Sequence, residues 1–207
     1  MLSAEDSERL EMCLMSGGIA VLPTDTVYGI ACDPNEELAV TRIYKLKGRP
    51  PQRPAAVMFF VLDCALRALP ELEDSERAAM RALLPGPVTL LLPNRGRRFP
   101  LACGPEQGKL GLRVPRLAGG LTELAGMTRP LLQSSANLSG ESEARRLQEV
   151  PQALREGADM MLDGGELPGV PSSVVDLSDY AETGRWQLMR EGALSAEMIE
   201  RTLAVVA

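Results

Sequence analysis

Apolar residues recur along this chain in two ways: at helical spacings of three and four, and in short unbroken runs that suit buried strands. Residues 3–16 predict a helix, with Leu10 and Leu14 on one face, Ser3 and Asp6 as a capping pair and Gly17-Gly18 closing the end. The run 19–22 predicts a buried strand that stops at Pro23. A second helix is expected from Asn35, where Glu36 and Glu37 favour the positive end of its dipole. Ala39, Ile43 and Leu46 form its apolar side, and Lys45 and Lys47 stand in its last turn before Gly48, Pro50, Pro51 and Pro54 end it.

Further strands are predicted at 55–61, 88–92, 110–114, 130–133, 160–162, 173–177 and 186–189. Helices are predicted at 63–69, 74–84, 117–125 and 143–157, the last interrupted at Pro151. A final helix begins at the cap Ser195 with Ala196, Ile199, Leu203 and Val206 on one face, while 95–108 reads as a loop rich in Gly, Pro and Arg. Alternating strands and helices imply an α/β fold, a sheet layered with helices in which some strands run antiparallel. No repeat or long linker marks a boundary, so one domain over 1–207 is expected.

Aromatic residues are only 3%, which leaves the core to Val, Leu, Ile, Ala and Met. No apolar run approaches the ~20 residues that span a bilayer, and the acidic start (Glu5, Asp6, Glu8) lacks a signal-peptide pattern. A soluble cytoplasmic protein is expected. The net charge of -6 argues against a broad phosphate-binding surface but leaves room for a local basic pocket. Cys13, Cys32, Cys64 and Cys103 lie far apart without a C-x-x-C pair, which predicts buried free thiols rather than disulfides or a zinc site. The absence of histidine removes the common general base and imidazole metal ligands, so chemistry must rest on Lys, Arg, hydroxyls, amides and carboxylates.

Three polar clusters stand out. Pro23-Thr24-Asp25-Thr26-Val27-Tyr28-Gly29 follows the first strand, where open α/β sheets hold ligands; the same residues also suit a plain turn capped by Thr and Asp. Lys45, Lys47, Arg49 and Arg53 surround a proline-rich turn and could aim cations at a phosphate chain, or simply complement a helix end. Ser134-Ser135-Ala136-Asn137-Leu138-Ser139-Gly140 follows an apolar run and suits either backbone approach to an anion or an ordinary capped turn. Gly104 to Lys109 has the wrong glycine spacing for a P-loop, and Leu110 stands where that motif needs Ser or Thr.

In order, these clusters resemble the YrdC-like family over nearly the whole chain. The P-T-x-T-V-Y-G turn, the helix ending in K-x-R-P (Lys47 to Pro50) and the S-x-N of Ser135 to Asn137 are joined by Pro85-Gly86-Pro87-Val88-Thr89 and Leu112-Arg113-Val114-Pro115. Ser172-Ser173-Val174-Val175-Asp176 and Leu188-Met189-Arg190-Glu191-Gly192 complete the series. The resemblance implies an α/β domain whose twisted mixed sheet and flanking helices surround a positively charged cavity. It also implies synthesis of threonylcarbamoyl-adenylate and pyrophosphate from L-threonine, bicarbonate and ATP, for N6-threonylcarbamoylation of adenosine 37 in tRNA by downstream transferase machinery. Lys47 and Arg49 are then expected to hold phosphates, with Ser135, Asn137 and Arg190 placing the nucleotide. Thr26, Arg113 and Ser172 are expected on the threonine side, Arg113 against its carboxylate, with Tyr28 as pocket wall. Mg2+ is expected to arrive with ATP, with no metal site of the protein's own.

Many members of that family carry Asn and His where this chain has Arg53 and Met58, and Pro where it has Glu191. The chain ends soon after that segment, so no additional C-terminal domain is expected. Three other readings stay open: a paralogue using another carbamoyl-type substrate, an RNA-binding module, and a noncatalytic subunit of a tRNA-modifying complex.

Overall fold

The structure is a computed structural model that describes residues 2–206. Its strands are β1 (Ala20–Leu22), β2 (Gly29–Cys32), β3 (Ala56–Met58), β4 (Val88–Pro93), β5 (Lys109–Arg113), β6 (Leu131–Ser135), β7 (Met160–Met161), β8 (Ser173–Asp176) and β9 (Gln187–Arg190). They form one mixed sheet in the order β7-β1-β2-β6-β3-β5-β4-β8-β9. The pairs β1/β7, β3/β5 and β4/β8 are parallel and the other five antiparallel. The α/β class with antiparallel strands read from the sequence is therefore the observed one.

The helices are α1 (Ala4–Met15), α2 (Glu37–Lys47), α3 (Leu62–Ala68), α4 (Asp74–Leu83), α5 (Pro100–Cys103), α6 (Gln152–Gly157), α7 (Tyr180–Thr183) and α8 (Ala196–Leu203). The Ser3–Asp6 capping box on α1 forms in both directions, and the Ser195 hydroxyl accepts from the Met198 amide at the start of α8. The helix α2 packs on β2 and α6, while α4 packs against β4, α7 and α8. Aliphatic side chains fill the space between, among them Leu10, Ile30, Ile43, Met80, Leu90, Leu92, Leu110 and Leu112, all without solvent exposure. Along β4, Val88, Leu90 and Leu92 are buried while Thr89 and Leu91 are partly exposed, the period-two pattern of a strand with one face on the core.

Some elements differ from the sequence pattern. The sequence pattern assigns residues 30–32 to no element and closes the turn cluster at Gly29, yet 29–32 form β2, hydrogen-bonded to β1 on one side and β6 on the other. A Cβ on Gly29 would stand 2.6 Å from Gln133 Nε2, so the glycine lets that side chain cross the strand. The helix expected at 117–125 is a 3-10 segment, Gly119–Gly126, opened by a glycine at φ +56°. The helix expected over 143–157 survives as α6 and the short 3-10 turn Leu147–Glu149. Ahead of them the chain is pulled out by tertiary bonds: the Tyr28 amide donates to Ala144 O at 2.9 Å and the Leu167 amide to Arg145 O at 2.9 Å.

The three cysteines Cys32, Cys64 and Cys103 are buried and Cys13 is half-buried, all as free thiols. Among the described residues no helix is long and apolar enough to cross a membrane.

Candidate active site

The turn between β1 and β2 builds itself first. The Thr24 hydroxyl donates to Val27 O at 2.7 Å and accepts the Thr26 and Val27 amides at 3.3 and 3.4 Å, so the turn interpretation of this cluster holds. The same turn is also a receptor. Arg113, at the end of β5, donates from Nη2 to Asp25 Oδ1 at 2.6 Å, Thr26 Oγ1 at 2.5 Å and Thr24 Oγ1 at 3.2 Å. The Asp25 and Arg113 side chains are 7% and 5% exposed, so this is a buried ion pair. One guanidinium nitrogen carries all three contacts, and Arg113 Nε is buried with no partner.

At the end of α2, Gly48 takes the left-handed conformation at φ 59°, and its amide and that of Arg49 bond back to Lys45 O and Tyr44 O. This reversal sends neighbouring cations different ways. Lys47 turns inward and is 2% exposed; its ammonium donates to Ser135 O, to Asn137 O at 2.6 Å and to Asn137 Oδ1 at 3.3 Å. Burial draws its pKa down to about 8, repulsion from Arg49 adds to that, and the Glu143 charge opposes it. Arg49 turns outward, its Cζ 5.8 Å from the centre of the Tyr44 ring, and its guanidinium donates to Pro54 O and to Arg53 O, the latter at 3.4 Å. These bonds fix the proline-rich turn.

The Ser135–Asn137 turn is held as tightly. The Ser135 hydroxyl donates to Asn137 Oδ1 at 2.6 Å, Asn137 Nδ2 donates to Glu141 O at 2.6 Å, and the Ser139 amide returns to Lys47 O at 2.9 Å. On the other flank, Ser172 and Thr89 share a hydrogen bond of 3.0 Å, and Arg190 donates to Ser172 O through Nη2 at 2.7 Å and Nε at 3.2 Å. Arg190 owes its position to a bulge: Val175 faces Leu188 but Val174 faces Arg190, so one extra residue of β9 is skipped. Without that residue the alternation of side chains would place Arg190 on the opposite face.

These elements converge on one cavity of about 190 Å³ over the face of β6, β3, β5, β4, β8 and β9, six strands adjacent in the sheet. Five of the eight residues expected from the sequence line it: Arg49, Arg113, Ser135, Ser172 and Arg190. Lys47, Thr26 and Asn137 stand behind the wall, each bonded to a residue in it. Tyr28 is core rather than wall; it is fully buried and its hydroxyl meets Gly165 O at 2.9 Å and the Gly164 amide at 3.0 Å.

A protein-family model for Sua5/YciO/YrdC, described as "Telomere recombination", matches residues 12–192. The chain belongs to the Sua5/YciO/YrdC family. It is 32% identical over 199 residues to the threonylcarbamoyl-AMP synthase of Pyrococcus abyssi, covering 93% of this chain and 56% of that one. It is also 32% identical over 206 residues to the human threonylcarbamoyl-AMP synthase, covering 93% and 68%. The chain thus spans little more than half the length of the archaeal relative. Among solved structures it is similar to P. abyssi Sua5 complexed with L-threonine, with TM-score 0.79 and 28% identity over 98% of this chain and 58% of that one. E. coli YciO, at 24% identity and TM-score 0.76 over 96% and 95%, shares the fold.

In this Sua5/YciO/YrdC member the wall also contains Arg53, one of the cations the sequence placed around the proline-rich turn, and three residues it did not single out as ligands: Thr89, Gln133 and Glu143. Arg53 also departs from the family pattern at its position. Thr89 lies inside the matched P-G-P-V-T segment, whereas Gln133 and Glu143 gave no local signal, because only sheet register and loop anchoring bring them in. Arg190 feels this company: burial lowers its pKa first, Glu143 opposes that, and Arg113 and Arg53 add to it. Among the described residues no group of three or more His, Cys, Asp or Glu is assembled to hold a metal ion.

Proposed function

We propose that this chain forms threonylcarbamoyl-AMP and pyrophosphate from L-threonine, bicarbonate and ATP. The observation that carries the reading is the wall itself: Arg49, Arg53, Arg113 and Arg190 face one small polar cavity with, among the described residues, a single carboxylate, a lining that favours anionic ligands. That two relatives are named threonylcarbamoyl-AMP synthases, and that one related structure holds L-threonine, supports the choice of substrates.

The chemistry suits these groups. The threonine ammonium and bicarbonate condense to an N-carboxylate with loss of water and a proton. A carbamate oxygen then attacks the α-phosphorus, and the bond to the bridging oxygen breaks so that pyrophosphate leaves with its electrons. Such a displacement needs alignment and neutralisation of spreading negative charge more than a strong base, so the lack of histidine is no obstacle. Arg49, Arg190 and Ser135 take the nucleotide. Lys47 supplies its charge from behind the wall and, with Asn137, keeps the Ser135 turn in shape. Arg113, fixed by Thr26 and Asp25, lines the cavity with its guanidinium and faces the threonine carboxylate beside Ser172. Among the described residues no donor set is assembled for a resident metal, so Mg2+ would come with ATP. The adenylate would pass to a tRNA-modifying transferase, in the cytoplasm, and the chain would act as one domain.

A second reading rests on Arg53. It stands in the wall where many family members carry Asn, and it suits a paralogue that activates a different, more anionic carbamoyl-type substrate. Pyrophosphate release from ATP, with threonine and bicarbonate each present or omitted, separates the two. Release that needs both, and that falls on the order of 10²-fold in Arg49→Ala, is the expected result. Release without threonine dependence, from folded protein that binds ATP, would refute the synthase reading in favour of the paralogue.

A further inference from the structure

We propose that Glu143 is the ligand for the amino group of the amino-acid substrate, facing the arginines that take its carboxylate. This rests on the reading that the cavity receives an amino acid. Glu143 is half-buried and is the one carboxylate in the cavity wall. The acids on which the fold relies are paired: Asp25 with Arg113, Glu76 with Arg95, Asp159 with Arg42 and Asp176 with Lys109. Among the described residues Glu143 has no ion-pair partner within 4.0 Å.

Its position is built rather than incidental. Ala144 O accepts the Tyr28 amide at 2.9 Å, Arg145 O accepts the Leu167 amide at 2.9 Å, and Glu141 O accepts Asn137 Nδ2 at 2.6 Å. The backbone on both sides of Glu143 is thereby pinned to two turns of the site, and its charge is felt at Lys47 and Arg190.

An unpaired carboxylate weakens a cavity for phosphate or bicarbonate alone, since like charges repel there. Its presence has to be answered by a cation. A divalent ion asks for several hard oxygen ligands, which the described residues do not assemble. An ammonium asks for one carboxylate. An amino acid brings that ammonium together with a carboxylate, and the cavity offers the matching pair: Glu143 for the first and the Arg113 guanidinium for the second. Phosphates then fall to Arg49 and Arg190, and substrates without a free amine are disfavoured.

Isothermal titration calorimetry of the full chain tests this, using L-threonine and N-acetyl-L-threonine, each with and without a nonhydrolysable ATP analogue and Mg2+. Wild type is expected to bind L-threonine and to reject the N-acetyl compound. Glu143→Gln, which keeps the shape and removes the charge, is expected to weaken L-threonine by ~10-fold or more, with its melting temperature held and its affinity for the ATP analogue unchanged or tighter. L-threonine affinity unchanged in folded Glu143→Gln would overturn the assignment, and so would a loss confined to the ATP analogue with Mg2+, which would put Glu143 beside the metal. If wild type binds another free amino acid in place of threonine and Glu143→Gln loses it, the assignment stands and the threonine reading falls.

Discussion

Replacing Asp25 by Asn is the sharpest test of the electrostatic frame around Arg113. The change keeps the side chain's shape but removes the counter-charge of a guanidinium that is almost fully buried. Asn can still accept from Arg113 Nη2 through its carbonyl oxygen, and Thr24 and Thr26 remain as acceptors, at 3.2 and 2.5 Å. The second oxygen of Asp25, which accepts the Arg116 amide at 2.9 Å, becomes an NH2 group that cannot. Breaking a buried pair from one side costs ~3–5 kcal/mol when nothing compensates. The two threonine hydroxyls and the retained carbonyl bring the expected loss to ~2–4 kcal/mol. For a domain of this size, where each kcal/mol moves the melting temperature by ~2–4 °C, that is a drop of ~4–16 °C. Calorimetric melting of both proteins measures it. If Arg113 awaits a carboxylate, saturating L-threonine recovers more stability in Asp25→Asn than in wild type, because it restores a counter-charge. A variant within ~0.5 kcal/mol of wild type would show that the pair does not hold the turn, and the frame argued for Arg113 would be wrong.

Two further outcomes follow from buried titrating groups. Lys47→Met removes an ammonium whose folded pKa, about 8, lies below its ordinary value near 10.5. The unfolded chain then binds more protons between those values, so the stability of wild type relative to the variant rises as pH goes from about 8 to about 10.5; denaturant titrations at pH 7, 9 and 10.5 that showed no trend would contradict the inward position of Lys47. Tyr28→Phe strips the hydroxyl from Gly164 N and Gly165 O and is expected to cost ~1–3 kcal/mol in a denaturant midpoint experiment. Burial raises the Tyr28 pKa from 10.0 to about 12, so its contribution is complete below pH 10 and is lost between 10 and 12, where the gap between wild type and variant should close.

Local chemistry made part of this molecule legible. The Ser3–Asp6 capping box, the Gly48 reversal and the apolar run of β4 are set by neighbours in sequence, and each appears where the residues predict it. The strand β2 did not announce itself because Gly-Ile-Ala-Cys has no pattern of its own; two flanking strands from distant parts of the chain make it a strand. The stretch 117–125 looked helical from its leucines, but Gly119, Gly120 and Gly126 leave only 3-10 turns. In the site, motif residues were found because they cluster: Arg49 beside Lys47, Ser135 beside Asn137. Sequence reasoning placed Arg113 at a carboxylate and missed that Asp25, 88 residues earlier, is one it already holds. Spacing alone could not tell that Lys47 turns away from the cavity while Arg49 turns towards it, since that depends on the left-handed Gly48 between them.

The bulge in β9 carries a consequence for how the chain becomes functional. Arg190 reaches the cavity from the outermost strand on its side of the sheet, and its partner Ser172 precedes the strand next to it. Behind the wall stands a turn near residue 25, closed onto Arg113 by bonds that span almost ninety residues. A nascent chain therefore holds the first turns of the site long before it has a site. Only when the last strand docks, in the register that skips one residue, does the ring of arginines close. The cavity is thus completed by the last strand to be made: a chain halted short of it would keep much of its core and most of the wall but lack Arg190.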